Sequence, residues 1–149
     1  MSLNGAHLHL ILNHIPIFAV TFGTVAFYWS WIRKSSEMMK AAILLFVLAG
    51  ASSWAGTETG EMAEDIVKKL ADVVKSDIEE HEMAAQYATF FAWALAVLGI
   101  AHALVEKHKP KFLRLVRIVL VICTLFGVTT QARTAYLGGK VRHTEIRNE

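Results

Sequence analysis

Cysteine occurs once in this chain, at Cys123. A single thiol makes no internal disulfide, and it excludes both a Cys-x-x-Cys redox pair and a zinc ribbon. Proline occurs twice, and only Pro16 falls within a long apolar run. Charge is also scarce: 19% of the 149 residues are charged, against about 25% in ordinary soluble domains. The formal net charge of +2 is too small, and the cations too scattered, for a nucleic-acid partner. No Gly-rich phosphate loop and no Gly-x-Ser-x-Gly element is present, so nucleotide binding and serine hydrolysis have no support. The start of the chain lacks the basic region and small-residue cleavage site of a signal peptide, and its apolar run is expected to be a retained helix.

What the chain does have is apolar length. It is 54% hydrophobic, with a mean hydropathy of +0.41. Four runs, at about 8–32, 38–56, 84–105 and 112–137, read as spanning helices. The first is roughly 37 Å long at 1.5 Å per residue, enough for a hydrocarbon core of about 30 Å. Trp29 and Trp31 near its end fit an interfacial aromatic belt. Pro16 is expected to kink it near His14. Arg133 puts the exit of the fourth run from lipid near Gln131, and Gly138-Gly139 is expected to end that helix.

The segment at about 58–82 differs. Met62, Ile66, Leu70, Val73 or Val74, and Ile78 recur at helical spacing, with Lys68, Lys69, Asp72, Lys75 and Glu79 between them. The pattern predicts an amphipathic helix lying across the bundle mouth or on the interface. The fold expected for residues 1–149 is therefore one all-α domain, an integral membrane up-down four-helix bundle with an amphipathic helix between spans two and three.

No Lys or Arg precedes Arg33. Arg33, Lys34 and Lys40 follow the first run, and Lys107, Lys109, Lys111, Arg114 and Arg117 surround the turn between the third and fourth. Positive residues in short loops mark the cytoplasm. Both termini and the connector are then expected outside, in a bacterial inner membrane. Seven of the fifteen basic residues oppose this, but they are spread through the longer connector and tail.

With that topology, polar side chains from every run reach one layer. The first brings His14, the second Glu58 and Glu61, the third His81 and Glu82, and the fourth Tyr136, Arg142 and His143. Imidazole suits haem iron, zinc or copper, and carboxylates suit harder ions. The first and third runs are parallel and normally diagonal, so His14 and His81 are expected to face each other across a central plane, as in a bis-histidine haem. His143 is the substitute ligand, and Arg133, Arg142 or Lys140 would pair with propionates. His7 and His9 read as interfacial. His102 is alone at its depth, and His108 belongs to a basic loop. Each of these histidines also has a plainer reading as a helix-end or headgroup-level residue. Glu61 and Glu64 likewise suit a helix N-terminus, where Thr57 or Thr59 would be the cap. His81-Glu82 is followed by Ala84 and Ala85, without the second histidine that a metalloprotease helix needs.

Four segments occur in order: Asn13-His14-Ile15-Pro16, Thr59-Gly60-Glu61-Met62-Ala63-Glu64, Glu80-His81-Glu82 and Leu137-Gly138-Gly139-Lys140-Val141-Arg142-His143. Together they give a chain that resembles a family of small bacterial membrane proteins described as a domain of unknown function. The resemblance implies four spanning helices and supplies no activity.

Chemistry therefore has to supply the function. The first expectation is a haem b-binding electron carrier near the extracytoplasmic face, linking quinol to an extracytoplasmic acceptor. It is more an electron carrier or subunit than a stand-alone enzyme. The alternatives are a non-haem transition-metal site using His14, His81, Glu82 and Glu61, and a structural subunit of a larger membrane complex whose polar layer is a packing network.

Overall fold

A computed structural model describes residues 4–147. Among these residues, four helical stretches are long and apolar enough to cross a membrane: Gly5–Arg33, Ser36–Val67, Lys75–His108 and Pro110–Arg142. They form a four-helix bundle, and the chain is a multi-pass membrane protein by the length and composition of these helices.

The first stretch is two helices. The Asn4 side chain caps α1 (Gly5–Leu12) by accepting the His7 backbone N–H. The helix is then interrupted at Asn13, and α2 runs His14–Arg33. Pro16 explains the break. It has no N–H for the Leu12 carbonyl, and it falls in the first turn of α2, where a missing donor costs least. Lys34 ends α2 in the left-handed region at φ 50°, and the Ser35 hydroxyl accepts the Met38 N–H to start α3 (Ser36–Val67). Next come α4 (Lys75–His108), a single 3-10 turn at Pro110–Phe112, and α5 (Leu113–Arg142).

Each long helix packs on the next in chain order, and α5 closes on α2, so α2 and α4 lie on a diagonal. The core is built on small residues. Ala19, Ala26, Ala42, Ala49 and Ala92 are buried with Val20, Phe27, Phe46, Leu95 and Leu120. Small side chains let backbones approach where lipid gives no hydrophobic drive to association. At Gly23 an added Cβ would lie 2.8 Å from the Phe46 ring, and at Gly50 it would lie 3.0 Å from Ala96.

Two expectations are corrected. No separate connector helix exists at 58–82. Instead α3 continues to Val67, residues 68–74 turn, and α4 begins at Lys75. Lys68 and Lys69 follow the negative end of α3, and Asp77 sits in the first turn of α4. Those signs suit a helix stop and a helix start. The apolar positions do not share one covered face: Met62, Leu70 and Val74 are exposed, whereas Ile78 is buried. Likewise Gly138-Gly139 does not end α5, which reaches Arg142. Arg147 folds back, donating from Nε to the Lys140 carbonyl at 2.9 Å and from Nη2 to the Val141 carbonyl at 3.0 Å. Its Nε also lies 3.2 Å from Asp77 Oδ2. The last carbonyls of α5 thus gain donors that glycine capping would otherwise have to replace.

Candidate functional site

At the end of the bundle where α1 begins and α5 finishes, α1 lies on α3. Gly5 permits this, since a Cβ there would lie 2.5 Å from Met62 Cβ. The packing points His9 at α3. His9 Nδ1 is 3.2 Å from the Gly56 carbonyl and 3.3 Å from Thr59 Oγ1. The Thr59 hydroxyl donates to the Ala55 carbonyl at 2.8 Å, so its oxygen is free to accept. Thr59 is thus an interior residue of α3 rather than a cap.

His81 comes from α4, one turn after the buried Ile78. Its Nδ1 is 3.1 Å from the Thr134 carbonyl of α5. A carbonyl only accepts, so in both rings the proton sits on Nδ1 and the lone pair on Nε2. The two rings approach across the diagonal, with centroids 6.5 Å apart and planes at 80°. A glycine backs each ring. A Cβ at Gly60 would sit 3.4 Å from His9 Cε1, and one at Gly138 would sit 2.9 Å from His81 Cε1.

The imidazole facing His81 is therefore His9 and not His14. Five residues separate the two histidines on the first span, about 140° around a helix at 3.6 residues per turn, and His14 is exposed. His143 is exposed too, with Nδ1 2.9 Å from Glu145 Oε1. The Glu145 carboxyl is held below its ordinary range, first by its own backbone N–H and then by the His143 ring. Arg133, Arg142, Glu61 and Glu82 are exposed. Among the described residues no group of three or more His, Cys, Asp or Glu side chains is arranged to hold a metal ion.

A second polar cluster lies at the opposite end. His102 is fully buried, and its Nε2 accepts the Arg117 Nε proton at 3.1 Å. Arg117 Nη2 reaches Glu106 at 3.7 Å. His102 Nδ1 is buried without a partner. Between the two ends, the Tyr28 hydroxyl meets Thr124 Oγ1 at 3.1 Å.

The chain matches no family model, no curated protein and no solved structure.

Proposed function

We propose that this protein binds a b-type haem between His9 and His81 and carries electrons at the extracytoplasmic side of a bacterial cell membrane. The paired imidazoles carry the reading. His9 and His81 are the two residues that would hold the group, and their rings already lie together with centroids 6.5 Å apart. Both Nδ1 atoms are tied to backbone carbonyls, which fixes the tautomer and leaves the lone pair on Nε2. A porphyrin brings four nitrogens of its own, so two protein ligands suffice, and a bare ion would need further donors. Gly60 and Gly138 let the two rings lie directly against α3 and α5.

The haem supplies reversible one-electron chemistry when bound. The chain's residues set its terms. Gly56, Thr59 and Thr134 orient the ligands, and burial and hydrogen bonding set the potential. Arg133, Lys140 and Arg142 lie towards the same end of α5 and are the cations available to propionates. The orientation rests on charge. Arg33, Lys34 and Lys40 cluster at one short turn, and Lys107, Lys109, Lys111, Arg114 and Arg117 at the other. The electron donor in this reading is membrane quinol, and the acceptor is an extracytoplasmic protein.

Optical spectroscopy of the purified protein tests the reading. A low-spin reduced-minus-oxidised haem spectrum is expected. His9→Ala and His81→Ala should each abolish it, and His14→Ala should leave it intact. A metal found without a haem band, or no bound group at all, overturns the proposal.

A further inference from the structure

The turn between α4 and α5 holds a group of cations at the end of the bundle opposite the histidine pair. Its residues His108, Lys109, Pro110, Lys111 and Phe112 line a shallow, open surface depression of about 550 Å³. No carboxylate lines it. Among the described residues, Lys109, Lys111 and Arg114 have no ion-pair partner within 4.0 Å. The nearby carboxylate, Glu106, is taken by Arg117, whose Nε is itself committed to His102. Unpaired cations around a concavity call for an anion.

The surroundings say which anion. The depression lies where two helices long and apolar enough to cross a membrane end, and in a bilayer the ends of spanning helices meet the headgroups. Apolar surface is close by: Phe112 lines the depression, and Leu104 and Leu115 are exposed about one turn along α4 and α5. Lys111 Nζ lies 5.1 Å from the Phe112 ring centroid, so charge and apolar surface meet in one place. A soluble anion would use only the cations, whereas a lipid would use both. We infer that this turn is a binding site for the phosphate of an anionic phospholipid, with the acyl chains against Leu104 and Leu115. The site does not depend on the haem reading.

Native mass spectrometry of the detergent-solubilised full chain, titrated with phosphatidylglycerol or phosphatidylcholine, tests this. Phosphatidylglycerol should bind at least about tenfold more tightly. Lys109→Gln combined with Lys111→Gln should weaken it by about thirtyfold, at the usual gain per surface cation. Lys109→Arg with Lys111→Arg should retain it. Lys68→Gln with Lys75→Gln, at the other end of the bundle, should change it less than about twofold. Both lysines of the depression are exposed, and circular dichroism will verify that the variants stay helical. Equal affinity for the two lipids, or unchanged binding after the glutamine pair, overturns the assignment. So does displacement of the lipid by inorganic phosphate at equal concentration, which would make this a soluble-anion site.

Discussion

At the scale of single residues, Gly138 has the tightest constraint around the histidine pair. Its absent Cβ would lie 2.9 Å from His81 Cε1 and 3.3 Å from Nδ1. Gly138→Ala should push the ring away from the Thr134 carbonyl and destabilise the protein by about 1–3 kcal/mol. Gly60→Ala, whose added Cβ would lie at contact distance, 3.4 Å from His9 Cε1, should cost less. Chemical unfolding in detergent measures both, and equal effects would count against the crowding argument. Arg117→Leu should also destabilise, by about 1–3 kcal/mol, because it leaves both nitrogens of buried His102 unpartnered. Lysine at that position should not restore the loss, since it lacks the planar guanidinium. The sequence pattern set His81 opposite His14, whereas the ring beside His81 in the structure is that of His9. Depth along a span says how far a residue lies from the interface, but not which side it faces. The side could have been read from spacing. Gly5, His9, Asn13 and Pro16 continue the buried row Ala19, Gly23, Ala26 and Ser30 on α2, and His14 falls off that row. On α4 the row Ile78, Ala84, Ala88, Ala92, Leu95 and Gly99 passes through both His81 and His102.

Among the elements, the first span carries the most informative break. Pro16 withholds a donor from Leu12, and the helix is interrupted at Asn13. Pro16→Ala should let one helix run from Gly5 to Arg33 and turn His9 away from Gly56. Slower amide exchange around Asn13, together with loss of the hydrogen-bonded His9 Nδ1 signal in nitrogen NMR, would report this. Retention of the His9 signal would show that packing on α3, rather than proline, aims the ring. Proline chemistry is local, so a disturbance near this point could be read from the sequence. The end of α3 could not be read so simply. Periodic apolar residues at 62–78 look like one helix, and a seven-residue turn hides inside because Met62 and Ile78 keep helical spacing in two different helices. The signs of Lys68, Lys69 and Asp77 were the better signal.

For the whole molecule, hydropathy was enough to find four spans, because lipid requires every backbone group to be satisfied within its own helix. The pairing of distant side chains depends on rotation of one helix against another, which hydropathy does not encode. Charge distribution makes a separate prediction about orientation. A cysteine replacing Lys109 should be labelled only by reagents on the cytoplasmic side, and a reporter fused after Glu149 should behave as extracytoplasmic. The opposite pattern would place the histidine pair in the cytoplasm and exclude an extracytoplasmic acceptor.

The pairing of His9 with His81 across the diagonal also has a consequence in time. His9 arrives with the first helix to leave the ribosome and His81 with the third, while Gly138, the wall behind His81, comes on the last. At about 5–20 residues per second of synthesis, the delay from His9 to Gly138 is on the order of ten seconds. Under the proposed function, a haem held by this pair would meet its finished wall only after the last helix is in place, and it would enter at the end of the bundle where the pair lies. In that reading, loading would be a step of maturation separable from translation.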